Sequence, residues 1–285
     1  MEKNEAPLTV RGLTKVYPSF RLDDVSFDLR PGAITGLIGR NGAGKTTALN
    51  SILAFTRPDG GDIAFWGMRL AEQAAEIKRR IGFVSAGMTY YTRKKLKTIA
   101  AVARSFYPGW DEDTYQTCMR RFGLEEGKTP SQLSNGMKIK FALALALSHG
   151  AELMILDEPT SGLDPVSREE LTETFLALRD AGKTILFSTH ITSDLEKCAD
   201  HILFIRAGRL TANRPMEEFA AAYRLAECQG GVPESMRPLA LGLCRVRDGY
   251  TALLNAADAA ALGVECRVPT LDEIMVHLDR EEAKA

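Results

Sequence analysis

One segment of this chain has the residue types and spacing that phosphate requires: Gly39-Arg40-Asn41-Gly42-Ala43-Gly44-Lys45-Thr46. Its glycines let backbone N–H groups turn inward around phosphate oxygens, and a helix starting at the lysine aims its positive end at the same place. The candidate contacts are Gly39, Asn41, Gly42, Ala43, Gly44, Lys45, Thr46 and Thr47. Lys45 supplies a mobile cation for the β- and γ-phosphates, and the Thr46 hydroxyl suits a magnesium coordination sphere. The apolar run Ala33 to Ile38 sits directly upstream. That gives the strand–loop–helix setting that a chance glycine-rich turn would lack.

A second segment, Leu153-Met154-Ile155-Leu156-Asp157-Glu158, places two carboxylates at the end of an apolar strand. Successive strand side chains face opposite sides, so the two acids divide their work. Asp157 suits the magnesium shell, and Glu158 suits orienting or deprotonating an attacking water. Alone, such a pair is an ordinary solvated strand end. Joined to the phosphate loop, it reads as nucleotide hydrolysis. A third apolar run, Thr184 to Phe187, leads into Ser188-Thr189-His190. All three runs end in polar residues, where open α/β sheets place their ligands.

These elements must be held by a larger frame. The chain has 285 residues, 45% hydrophobic and 26% charged, enough for a sizeable core. A formal net charge of −1 gives no bulk attraction to nucleic acid or anionic lipid. The longest apolar run, Phe141 to Leu147, falls far short of the roughly 20 residues that span a bilayer, so the chain is expected to have no transmembrane segment. Its start, MEKNEAPLTV, has no apolar core for a signal peptide. Five widely spaced cysteines, with no C-x-x-C pair, favour reduced thiols in a cytosol. The four histidines make no metal-ligand spacing.

Apolar runs alternate with helical stretches to about residue 210, which predicts an α/β fold with a mostly parallel sheet. From about 87 to 150 strand signals thin out, and helices are expected over Lys95 to Phe106, Asp111 to Phe122 and Met137 to Ser148. Composition shifts after about residue 213, and Gln229 to Pro233 reads as a loop. Beyond it, Asp248-Gly249 signals a hairpin within Leu243 to Asn255, and Leu271 to Glu282 reads as an amphipathic helix.

In this order the motifs resemble the ATP-binding subunits of ABC transporters, from about Leu8 to Gly208. Leu133-Ser134-Asn135-Gly136 is similar to that family's L-S-x-G-Q signature. The resemblance implies that Ser134 and Gly136 contact the γ-phosphate of ATP held by the opposite subunit, though in isolation Ser134 would be read as a helix N-cap. It likewise implies that Asp164, in Ser161-Gly162-Leu163-Asp164, belongs to the D-loop between subunits. His190 is then the switch histidine, catalytic alongside Glu158 and Lys45, and Tyr17 the ring that stacks on adenine. Without the resemblance, His190 is a satisfied polar residue and Tyr17 a strand-edge aromatic.

The implied architecture is a P-loop NTPase of ABC-ATPase type over residues 1–220. It comprises the mostly parallel sheet, an N-terminal antiparallel β subdomain and a helical signature subdomain at about 87–150. Residues 221–285 form a small C-terminal α/β appendage. ATP and Mg²⁺ are the implied cofactors. The partners are a second ATP-binding subunit and a separately encoded integral permease, and the setting is the cytoplasmic face of the membrane.

Two departures from the pattern matter. Ala86 stands where the family usually has Gln or Glu, and a methyl group can neither ligate magnesium nor hydrogen-bond the lytic water. Met137 replaces the signature's final Gln. With Phe106 to Asp111, Asp164 to Arg168 and Thr270 to Met275, that change resembles the branch that exports peptides, antibiotics or lipids. The run Arg93-Lys94-Lys95-Leu96-Lys97 is a solvated helix face or a surface for anionic headgroups or an acidic permease loop. The rival functions are a soluble ABC ATPase acting on ribosomes or DNA, and a non-hydrolysing ATP-gated module.

Overall fold

The computed structural model describes residues 5–85 and 91–281. The chain opens with a hairpin, β1 (Thr9–Tyr17) and β2 (Phe20–Asp28), then β3 (Ile34–Ile38), α1 (Lys45–Ile52) and β4 (Gly60–Ala64). Next come α2 (Leu70–Arg80), β5 (Ile81–Ser85) and three helices, α3 (Leu96–Phe106), α4 (Glu112–Arg121) and α5 (Asn135–Ser148). The motif strands return as β6 (Leu153–Asp157), α6 (Pro165–Asp180), β7 (Thr184–Thr189) and α7 (Thr192–Cys198), followed by β8 (His201–Arg206) and β9 (Arg209–Pro215). The chain ends with α8 (Met216–Ala221), β10 (Tyr223–Gln229), β11 (Gly242–Val246), β12 (Gly249–Asn255), α9 (Ala256–Leu262), β13 (Cys266–Arg267) and α10 (Leu271–Glu281).

Three sheets result. The central one has six strands in the order β5-β6-β7-β3-β8-β9, all parallel except β9 at the edge. A three-stranded antiparallel sheet, β2-β1-β4, covers one of its faces. The last strands form a separate antiparallel sheet, β11-β12-β10-β13. The sequence expectation of an α/β fold with a mostly parallel sheet therefore holds.

Burial explains the apolar character of the central strands. Every residue of β3, β6 and β7 is buried, because a parallel sheet is covered on both faces. On β7, Ile185 and Phe187 pack toward α5, α6 and α7, while Leu186 packs toward β1, β2 and α1. Alternation along one strand thus separates two cores. Across β3, β6 and β7 the C-terminal ends align: Ile38 pairs with Thr189, and Asp157 with Ser188. That register brings the phosphate loop, the acidic pair and His190 to one rim.

The expected helices over 95–106, 111–122 and 137–148 are α3, α4 and α5, with boundaries within two residues. The Asp248-Gly249 hairpin joins β11 to β12. The final helix, α10, begins with a capping box. Thr270 N donates to Glu273 Oε2 at 2.9 Å, and Glu273 N donates back to Thr270 Oγ1 at 3.2 Å. Arg267 donates to both Glu273 carboxylate oxygens and, with the Thr270 amide, holds that carboxyl well below its ordinary value, at about 2.

A carboxyl whose pKa falls from 4.5 to about 2 on folding contributes stability that is present above pH 4.5 and lost as pH falls through 2. The pair is partly solvent-exposed, so Glu273→Gln is expected to cost about 1 kcal/mol at pH 7 rather than the full value of the shift. Urea melts of both proteins should show that gap shrinking by about half at pH 3. A gap independent of pH would assign the loss to packing instead of charge.

Candidate functional site

The phosphate loop lies between β3 and α1 as the sequence predicts. Two of its glycines answer distinct constraints. A Cβ at Gly39 would stand 2.3 Å from the Ile205 carbonyl oxygen, because β8 passes directly behind the loop. Gly44 adopts φ +115°, a left-handed conformation, and hands the chain into α1. The loop is also tied from behind, where Gly208 N donates to Ala43 O at 3.0 Å.

Lys45 is buried, and oxygen surrounds its ammonium. Nζ donates to Gly39 O at 2.7 Å and to Arg40 O at 3.4 Å, and stands 3.4 Å from Glu158 Oε1. The other Glu158 oxygen, Oε2, lies 2.7 Å from His190 Nδ1 and accepts from His190 N at 3.3 Å. Glu158 itself has φ +51°, which for a side chain of this size costs about 1–2 kcal/mol. That turn aims its carboxylate away from β6 and between Lys45 and His190. The three predicted catalytic residues therefore form one contiguous set.

Asp157 faces the opposite way. Its Oδ1 accepts from Ser188 Oγ at 2.5 Å, and its Oδ2 accepts from Thr46 Oγ1 at 3.5 Å. Burial pushes the Asp157 carboxyl up from its usual range, and the Ser188 hydroxyl works against that rise. Thr46 and Asp157 together offer hard oxygen donors beside the phosphate loop, a donor set that fits magnesium.

These groups open onto a cleft of about 550 Å³ lined by Ser19, Phe20, Arg40, Asn41, Gly42, Gly44, Lys45, Thr46, Thr47, Glu158 and His190. Ala43 is buried within the loop. Tyr17 is 41% exposed and is not one of the lining residues; Lys15 Nζ lies 5.6 Å from its ring centroid. Phe20, paired with Tyr17 across the β1–β2 hairpin, reaches the cleft instead. The sequence reading missed Phe20, Ser19, Arg40 and Ser188. The signal for Phe20 was an aromatic ring directly across a two-residue turn from Tyr17, and for Ser188 a hydroxyl ending an apolar strand.

The signature residues stand elsewhere. Ser134 caps α5, accepting from Met137 N at 3.2 Å, and Gly136 packs beside Ser167 and Leu163. Asp164 caps α6, accepting from Val166 N, Ser167 N and Ser167 Oγ, and those donors hold its carboxyl below the usual range. None of these three lines the phosphate-loop cleft. Arg93, Lys94, Lys95 and Lys97 are exposed at the start of α3. Ala86 lies outside the described residues. Among the described residues, no helix is long and apolar enough to cross a membrane.

Comparison with known proteins agrees with this fold. The ABC transporter family profile matches residues 22–161. The bacitracin transport ATP-binding protein BcrA of Bacillus licheniformis is 33% identical over 72% of this chain and 68% of its own. The Nod factor export ATP-binding protein I of Burkholderia thailandensis is 32% identical over 81% of this chain and 79% of its own. A solved ATP-binding subunit of an ABC transporter superposes with a TM-score of 0.67 at 30% identity, covering 74% of this chain and 90% of that one. With the strand–loop–helix, the acidic pair and His190 on one rim, the chain belongs to the family of ABC transporter ATP-binding subunits.

Proposed function

We propose that this chain is the ATP-hydrolysing subunit of an ABC exporter for peptides, antibiotics or lipids. It would act peripherally at the cytoplasmic face of the membrane with a separately encoded permease. The observation that carries the catalytic assignment is the placement of Glu158 between Lys45 and His190, at 3.4 and 2.7 Å. The relatives that share its sequence are named for bacitracin transport and Nod factor export, which supports export over work on ribosomes or DNA.

In this reading the loop from Gly39 to Thr47 and the start of α1 hold the ATP phosphates through N–H groups and Lys45. Phe20, which lines the cleft, would stack on the adenine ring, in the place that the sequence pattern gave to Tyr17 across the hairpin. Thr46 and Asp157 would hold magnesium, which when bound would neutralise negative charge on the phosphate oxygens. Glu158 accepts a proton from the water whose oxygen bonds to the γ-phosphorus, while the bond to the β–γ bridging oxygen breaks to give ADP and phosphate. His190 fixes the Glu158 carboxylate in that direction.

Ser134, Gly136 and Asp164 lie away from the cleft of their own chain, so we assign them to the cleft of a second subunit arranged head to tail. Permease docking is supported by an open apolar groove of about 360 Å³ that includes Leu53, Phe55, Phe83, Tyr107, Ala142 and Leu145. We take residues 1–220 as the ATP-binding body, with its helical part at about 87–150, and 221–285 as an accessory region. Supporting that division, β10 to β13 form a sheet of their own.

Glu158→Gln should retain ATP binding while turnover falls on the order of a hundredfold or more, as expected for loss of a positioned base. Because ATP then persists, a long-lived dimer should elute on sizing columns. Turnover near the wild-type rate would remove Glu158 from the role.

Assembly in trans has its own test. A Lys45→Ala chain mixed with a Ser134→Arg chain forms heterodimers with one intact site, whereas each homodimer has none. ATP-dependent dimer formation should return in the mixture. A mixture that behaves as the average of its two inactive parents would rule the arrangement out.

A further inference from the structure

The C-terminal helix reaches the nucleotide loop. In the last turn of α10, Asp279 is 12% exposed and its Oδ2 lies 3.4 Å from Nε of Arg40, the second residue of the loop. Beside it, Arg206 Nη1 at the end of β8 donates to Leu278 O at 2.9 Å, anchoring the same turn. At the other end of α10, Leu271 N donates to Glu196 Oε1 on α7, the helix that follows His190. Between these ties Leu271, Ile274, Met275 and Leu278 are buried in the same core as Leu195. One helix of the accessory region is therefore fixed both to the phosphate loop and to the element behind the switch histidine.

Nothing in the phosphate-binding chemistry requires this. The Arg40 side chain is 71% exposed, while its carbonyl accepts from the Lys45 ammonium. A phosphate loop binds through backbone N–H groups, and their value depends on being arranged before the ligand arrives. The loop is held from behind by Gly208 and from within by Lys45. Asp279 adds a contact on its outer side, through the Arg40 side chain.

We propose that Asp279 is a positioning residue for ATP binding, which holds the outer side of the phosphate loop through Arg40 and makes nucleotide affinity depend on the docking of the C-terminal helix. This rests on the ATPase reading above. By linkage, nucleotide binding then stabilises the docked helix to the same degree. The alternative is simple charge repulsion. A carboxylate beside a polyanion site disfavours ATP, so its removal would tighten binding. Positioning and repulsion thus predict opposite signs.

The test uses the full chain and two readouts, steady-state ATP hydrolysis and direct titration with a non-hydrolysable ATP analogue. Asp279→Asn keeps the side-chain shape and removes the charge. It should raise KM and the analogue Kd about two- to fivefold, the scale of one partly exposed ion pair, with kcat changed less. Asp279→Glu should restore both constants. Arg40→Ala should raise them similarly, and adding Asp279→Asn to it should do nothing more. At about 0.5 M salt the difference between wild type and Asp279→Asn should largely vanish.

An unchanged or lowered KM in Asp279→Asn overturns the proposal, as does full additivity in the double variant. Should Asp279→Asn fail to fold, Arg40→Ala with unaltered affinity overturns it equally. A wild-type chain that does not bind the analogue at all would defeat the ATPase reading and this inference with it. Binding that the variants leave untouched defeats the inference alone.

Discussion

A buried ammonium must be enclosed by oxygen, and much of the site's arrangement follows from how Lys45 meets that demand. Its partners come from separate parts of the chain: the Gly39 and Arg40 carbonyls from the loop after β3, and the Glu158 carboxylate from the end of β6. Those strands are not neighbours, since β7 lies between them and contributes His190 to the same carboxylate. Three strand ends must therefore finish level, and the parallel register of β3, β6 and β7 is what levels them. The apolar runs that make these strands are buried on both faces, so a slip would also misplace two cores. Core packing and catalytic geometry here are one requirement expressed twice.

Much of this was readable from residue types alone. Glycine spacing, a lysine and a hydroxyl specify phosphate chemistry because few other backbones can surround an anion, and an apolar run ending in Asp157-Glu158 has few other uses beside such a loop. The three helices of the 87–150 segment were legible from periodicity, and the β11–β12 hairpin from Asp248-Gly249. What escaped was contact between distant segments. Phe20 follows Tyr17 across a two-residue turn, but which of the two rings reaches the cleft is decided by how the β1–β2 hairpin packs. Arg40 and Asp279 lie at opposite ends of the chain, and only the packing of α10 on Leu195 and its neighbours brings them together. Strand β13, two residues long, carries no periodic signal and exists because β10 offers it an edge.

The capping residues show why a modest structural reading and a functional one need not compete. Ser134 Oγ accepts one N–H from Met137, yet a hydroxyl keeps a second lone pair and a proton to donate, so a capped α5 still presents a polar group at its N-terminus. Asp164 differs. Its carboxylate accepts from two backbone N–H groups and the Ser167 hydroxyl, which leaves it little freedom to turn toward a ligand. Its contribution is to fix the direction in which the chain enters α6. Gly136, packed beside Ser167 and Leu163, links that direction to the signature.

Charge balance sets the last condition. With a net charge of −1 the chain has no overall field to gather a polyanion, so capture of ATP must be local. The local cations are Lys45, already engaged by Glu158, and Arg40, engaged by Asp279. Each positive group at the rim thus has an acid beside it. Such neutralisation makes a site selective: a lone anion gains little from cations that are already paired. A ligand that also satisfies the backbone N–H groups of the loop gains affinity there without drawing Arg40 away from Asp279. On this argument the acids at the rim raise discrimination for a triphosphate of the right shape, and the loop's preorganised backbone supplies the affinity.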